Sequence, residues 1–136
     1  MIKAINKDTM ILSRPCQPAT RADLPLANDL RDTLRANADR CVGMGANMIG
    51  ITKQVIIAKL GPLPVVMFNP TIISKQGPYQ TKEGCLSLPG QRPTTRYQKI
   101  KVRFRNENWQ VTELSLDGFA AEIVQHEVDH CHGILI

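Results

Sequence analysis

An α+β fold, with antiparallel β-sheets packed around a C-terminal helix and another helix near the N-terminus, is what this 136-residue sequence predicts. Three observations carry the prediction. Apolar residues recur at helical spacing near the start of the chain and again at its end. The stretch between is rich in β-branched runs cut by glycine and proline. No alternation of strand, helix and strand marks a parallel sheet.

Residues 1 to 19 carry the short apolar stretch Met10-Ile11-Leu12 and are broken by Pro15 and Pro18, which suits an extended arm better than a helix. Thr20-Arg21-Ala22-Asp23 then fits a capping box. Leu26, Leu30 and Leu34 follow four apart, so a helix with one apolar stripe is expected to run to about Asp39.

Val55-Ile56-Ile57-Ala58 and Pro64-Val65-Val66-Met67-Phe68 read as short strands, with Gly61, Asn69-Pro70 and Gly77-Pro78 as tight turns. Ile100, Val102 and Phe104 alternate with Lys101, Arg103 and Arg105. Asn106-Glu107-Asn108 turns the chain, and Trp109 to Leu116 returns it, giving an antiparallel hairpin with one wet face. Asp117 can cap a last helix, in which Phe119, Ile123, His126 and His130 fall on one side, and Gly133 stops it.

The chain is the size of one domain, taken as residues 1–136, with no repeat, linker or low-complexity segment. A hydrophobic fraction of 43% against 21% charged residues excludes a disordered chain. Seventeen Lys+Arg against twelve Asp+Glu give a net charge of +5, but the cations are scattered and not interleaved with aromatics. A solvated surface, and no nucleic-acid partner, is the expectation. No leader pattern and no apolar run near 20 residues occurs, so a cytoplasmic protein without membrane contact is expected. Cys16, Cys41, Cys85 and Cys131 form no CxxC pair and are too sparse for a disulfide scaffold, leaving packing, metal binding or catalysis.

His126-Glu127-Val128-Asp129-His130 is H-E-x-x-H on an expected helix, where i, i+4 spacing brings two imidazoles to one metal and places Glu127 within reach of a bound water. In Glu83-Gly84-Cys85-Leu86-Ser87, closed by Pro89-Gly90, a thiolate can be offered from an irregular sheet edge. Two imidazoles and one thiolate leave a tetrahedral ion one open position, and such a site lowers the pKa of bound water toward neutrality. The constellation points to a hydrolase.

Three ordered segments carry a more specific resemblance: Cys41-Val42-Gly43-Met44-Gly45-Ala46-Asn47-Met48-Ile49-Gly50, then Glu83 to Ser87, then Gln125 to His130. The last two match the E-G-C-L-S and Q-H-E-x-D-H motifs of peptide deformylases intact, and the first is similar to their G-x-G-x-A-A-x-Q-I-G. The resemblance implies that Cys85, His126 and His130 bind ferrous iron, although the same ligands suit zinc on coordination grounds. It also implies that Glu127 is the general acid/base for attack by metal-bound hydroxide. The substrate it implies is an N-formylmethionyl peptide of a nascent protein, with the Leu86 backbone N–H as one donor to the formyl oxygen.

The first segment departs from the family pattern. Met48 stands where a glutamine is the second oxyanion donor, and a thioether cannot donate. Asn47 carries an amide one position earlier, on a side chain expected to point elsewhere. Cys41 replaces the first glycine and Gly45 an alanine, while Gly43 and Gly45 still allow a peptide to approach the backbone. Val42, Phe119 and Ile123 are expected to wall the methionine pocket, with Met48 beside them, although core packing explains the three equally well.

Glu83, Gln125 and Asp129 are candidates for orienting the ligands. Arg96 reads as a solvated surface residue, with pairing to Glu83 or contact with a peptide backbone as alternatives. Cys131, about 100° around the helix from His130, is expected in the core. His132 has no expected catalytic role.

Three functions are consistent with these residues. The first is an active deformylase. The second is a deformylase-like paralogue with weak or no turnover, a formyl-peptide binder or one acting on another amide. The third is a zincin-type protease, which has no use for Cys85. With six residues after His130, no long trailing helix and no stable ribosome contact are expected.

Overall fold

A computed structural model describes residues 1–135, so Ile136, the last residue of the expected domain 1–136, lies outside the described residues. The N-terminal arm is not wholly extended. Asp8 accepts the Met10 N–H at 2.9 Å and caps a one-turn helix, α1 (Thr9–Leu12), whose Leu12 is buried in the core. A local cap plus one buried leucine is enough to fix a single turn.

The capping box forms, with the Thr20 N–H donating to Asp23 and the Ala22 N–H to Thr20, but it closes only the 3-10 turn Arg21–Asp23. Helix α2 runs Leu26–Ala36, starting later and ending earlier than expected. Pro25 accounts for the late start, because it lacks an N–H and tolerates only the first helical turn. Ala27, Leu30, Thr33 and Leu34 make the buried stripe.

The strands are β1 (Gly43–Gly45), β2 (Val55–Leu60), β3 (Leu63–Cys85), β4 (Leu88–Arg105) and β5 (Val111–Asp117). They form one five-stranded antiparallel sheet in sequence order, where separate sheets were expected. Asn69-Pro70 and Gly77-Pro78, expected as turns, lie inside β3, and the register slips between Phe68 and Thr71 and between Ile72 and Ser74. Asn69 takes a positive φ of 54° there. Its amide accepts the Ala19 N–H at 2.7 Å and donates to the Ala19 carbonyl at 3.0 Å, replacing a strand neighbour at the bulge. The expected hairpin pairs β4 with β5, and Trp109, at φ 60°, belongs to its turn.

Alternation in β2 and β3 sends side chains to opposite faces. Val55, Ile57, Val66 and Phe68 pack with Leu30 and Leu34 of α2. Ile56, Ala58 and Met67, with Val102 and Phe104 of β4, pack against Ala121, Ile123, Val124 and Val128 of the last helix, α3 (Gly118–Cys131). Each of these larger aliphatic side chains contributes about 1.5–3 kcal/mol on burial. Asp117 precedes α3 without a side-chain cap bond, and Gly133, at φ 71°, follows it. Among the described residues no helix is long and apolar enough to cross a membrane.

Candidate active site

Helix α3 and the end of β3 bring Cys85, His126 and His130 together, with one ligand atom from each within 4.8 Å of the others. Cys85 ends β3 where the register slips between Gly84 and Cys85, so its thiol leaves the regular sheet. Cys85 Sγ lies 3.5 Å from His130 Nε2. Tetrahedral zinc or iron with ordinary metal–sulfur and metal–nitrogen bonds separates such a pair by about 3.5 Å. The donor set therefore fits a metal ion.

The two histidines are held differently. His126 Nδ1 is 2.8 Å from Glu83 Oε1, which leaves Nε2 for an ion. Burial opposes a proton on His126, but its hydrogen-bonding contacts with Cys85 and Glu83 outweigh it and raise its pKa to about 10. Burial, helped by the charges of His126 and Arg96, lowers His130 to about 3. His130 Nδ1 is buried without a hydrogen-bond partner.

Glu83 is itself clamped. Arg96 donates to both its oxygens and, at 2.7 Å, to Asp129 Oδ2. Burial pushes Glu83 upward, yet the hydrogen bonds from His126 and Arg96 bring its pKa down to about 2. The expectation of a solvated Arg96 is thus overturned. The guanidinium is 4% exposed, because two carboxylates converge on it from β3 and α3. Gln125 ties α3 to β4, donating to the Tyr97 carbonyl and accepting the Tyr97 N–H.

Glu127 is buried, and its Oε1 has no hydrogen-bond partner and stands 3.9 Å from His130 Nε2. Burial raises its pKa to about 7, with the nearby His126 charge pulling the other way. A carboxyl poised near neutrality beside a metal-ligand set is suited to accept and return a proton.

A cavity of about 240 Å³ opens beside these residues, lined by Val42, Gly43, Met48, Leu86, Phe119 and Ile123 together with Cys85, His126 and Glu127. Ile123 is buried, whereas Phe119 is 64% exposed, at odds with an inward-facing position. It sits two turns before His126, where α3 begins and the sheet no longer covers it. Gly45 is not among the lining residues. A Cβ there would meet His130 Cβ at 2.9 Å, and one on Gly43 would meet Glu127 Oε2 at 2.8 Å. Both glycines leave room for α3, and Gly43 lines the cavity as well.

Met48 lines the cavity, but its sulfur accepts the Gly45 N–H at 3.5 Å. Nor does Asn47 replace the missing donor, since its side chain is fully buried and its amide donates to the His130 carbonyl at 3.0 Å. Cys131 is in the core, with its thiol pushed up by burial. Cys41 lines the cavity, and burial raises its thiol to about 11.

Glu122, Arg40 and Lys82 also line the cavity, and sequence reasoning passed over all three. Glu122 had a signal, lying one turn before His126 on the same helical face. Its pKa is raised by burial and by the nearby Glu83 carboxylate, and the Tyr79 hydroxyl donates to it at 3.5 Å. Arg40 and Lys82 had none.

The family model described as polypeptide deformylase matches residues 2–136. A peptide deformylase of Clostridium beijerinckii is 46% identical over 136 residues, covering all of both chains, and one of Aquifex aeolicus is 37% identical over 91% of this chain and 78% of its own. Among solved structures, a class I type b peptide deformylase of Acinetobacter baumannii with Met-Ala-Ser bound superposes with a TM-score of 0.89 at 31% identity, covering 99% of this chain and 97% of that one. The Thermus thermophilus enzyme gives 0.87 at 32% identity, over 99% of this chain and 84% of its own.

Proposed function

Since the chain belongs to the peptide deformylase family, we propose that it is a metal-dependent hydrolase removing the formyl group from N-formylmethionyl peptides of nascent proteins in the cytoplasm. The observation that carries this reading is the convergence of Cys85, His126 and His130 on one point, beside the buried carboxyl of Glu127, at the wall of a partly apolar cavity.

Cys85, His126 and His130 would hold a divalent ion, which would supply Lewis acidity to a water and to the formyl carbonyl. Ferrous iron is the ion we assign, and zinc fits the same donors. Glu127 takes the proton of the attacking water and returns it to the leaving amine, so that formate and a free N-terminus depart. The Leu86 N–H is assigned as a donor to the formyl oxygen. Val42, Phe119 and Ile123 offer apolar surface to the methionine side chain. The Acinetobacter relative was crystallised with Met-Ala-Ser, a peptide that begins with methionine.

Met48 favours slower turnover than a glutamine would allow, because its sulfur accepts a hydrogen bond from Gly45 where the reaction calls for a donor. The test is formate release from a formyl-Met dipeptide by protein prepared without oxygen and loaded in parallel with ferrous iron or zinc, with Glu127→Ala as control. Release that needs both metal and Glu127 is expected. Silence from folded, metal-loaded protein would favour a formyl-peptide binder or another amide substrate.

A further inference from the structure

Asn47 Oδ1 and His130 Nδ1, like Glu127 Oε1 and Ser87 Oγ, are buried near the candidate metal ligands without hydrogen-bond partners. They are chemically complementary. With His130 Nε2 turned to a metal, Nδ1 carries the ring hydrogen and can only donate, whereas an amide oxygen can only accept. Both side chains also approach one common point. The point where a Cβ on Gly45 would stand lies 3.2 Å from Asn47 Oδ1 and 3.4 Å from His130 Cγ.

The amide is already tethered to this histidine, because Asn47 Nδ2 donates to the His130 carbonyl at 3.0 Å. That bond fixes which end of the amide is oxygen. Both side chains are almost fully enclosed, at 0% and 2% exposure, so bulk water does not compete for either atom. Gly45 matters here as well. A methyl group at this position would meet His130 Cβ at 2.9 Å and crowd the space beside Asn47 Oδ1.

The structure makes no direct bond between the two atoms, and we infer that Asn47 is a positioning residue for the metal centre whose carboxamide oxygen takes the Nδ1–H of His130 once Nε2 turns to an ion, in the role Glu83 already fills for His126. Metal-bound imidazoles generally need such an acceptor, and losing one typically costs about 10- to 100-fold in metal affinity. The inference rests on the reading that Cys85, His126 and His130 hold a metal. It also accounts for Asn47 without assigning it to the oxyanion.

The test compares zinc affinity, by chelator competition, for the full chain and for Asn47→Leu, Asn47→Asp and Cys85→Ala. Asn47→Leu should bind zinc about 10- to 100-fold more weakly. Asn47→Asp keeps the oxygen and loses the Nδ2 donor, so it should retain most of the affinity. An Asp variant as weak as the Leu variant would show that only the bond to the His130 carbonyl matters and would overturn the inference. Unchanged affinity in Cys85→Ala would instead remove the metal-centre reading beneath it.

A second measurement needs no variant that might misfold. In zinc-loaded, 15N-histidine-labelled protein, the His130 Nδ1 proton should be visible and slow to exchange. A His130 ring metallated through Nδ1, or an Nδ1 proton exchanging freely with water, would equally overturn the assignment.

Discussion

Arg96 grips Glu83 with two parallel hydrogen bonds, Nε to Oε2 at 2.9 Å and Nη2 to Oε1 at 2.7 Å, and the second oxygen also faces His126 Nδ1 at 2.8 Å. One guanidinium thus sets the carboxylate that orients a candidate metal ligand, and through Nη1 it also holds Asp129 on the same helix as that histidine. Planar bidentate geometry is what arginine offers and lysine does not.

Arg96→Ala should therefore be costly in two ways. Removing one partner of a buried ion pair leaves uncompensated charge, and a loss of about 3–5 kcal/mol is expected from urea unfolding. Zinc affinity should fall as well, since Glu83 loses its fixed orientation. Arg96→Lys should recover only part of either. A variant as stable as the parent would mean that the clamp does not matter to the fold.

Glu127 gives a pH signature. Its carboxyl has a pKa of about 7 in the folded chain, raised by burial from an ordinary 4.5, so between those values the folded state holds a proton that the unfolded state has lost. The folded state then binds more protons, and stability falls as pH rises through this window, by on the order of 3 kcal/mol once pH exceeds 7. Glu127→Gln lacks that titration. For metal-free protein, the stability advantage of the Gln variant should grow from pH 4.5 to 7 and then level off, while formate release by the loaded variant is abolished. An advantage independent of pH would show that Glu127 stays ionised in the fold.

Met48→Gln asks whether the missing donor limits turnover. One oxyanion donor is typically worth about a hundred- to a thousand-fold in rate. The gain here should lie at or below the lower end, because the new side chain must enter a fully enclosed position and leave the Gly45 N–H without its sulfur acceptor. A rise in kcat with KM little changed is the expected pattern. No rise would mean that other donors already serve the oxyanion.

The candidate ligand set was legible in the sequence because its chemistry is local. H-E-x-x-H needs only a helix to bring two imidazoles together, and a cysteine beside a glycine at a strand end marks itself. The helix cap at Thr20 was equally legible, but Pro25 decided where α2 began. Asn69-Pro70 misled because the same residues that make turns also make bulges, and Gly77-Pro78 because it runs on through β3 in unbroken register with β4, which only long-range pairing reveals. Arg96 looked like a surface arginine because nothing local announces that Glu83 and Asp129 converge on it. For the same reason Asn47, read as a poor substitute for glutamine, could not be linked to His130, which lies 83 residues away in sequence.

Gly43 offers a steric test of how closely the first motif is fitted to α3. A Cβ there would stand 2.8 Å from Glu127 Oε2 and 2.9 Å from Ile123 Cγ2, so Gly43→Ala must displace the proposed acid/base or a buried core residue. Overpacking of this kind costs about 1–3 kcal/mol. Because the displaced group is Glu127, formate release should drop by more than the lost stability alone explains, with zinc affinity close to normal. Gly61→Ala is the matching control. A Cβ at Gly61 meets nothing within 4 Å, but its φ of 79° strains any other residue, so stability should fall while turnover per folded molecule stays the same. Equal activity in the two variants would show that Glu127 relaxes around the added methyl group and that close contact with Gly43 is not needed to hold it.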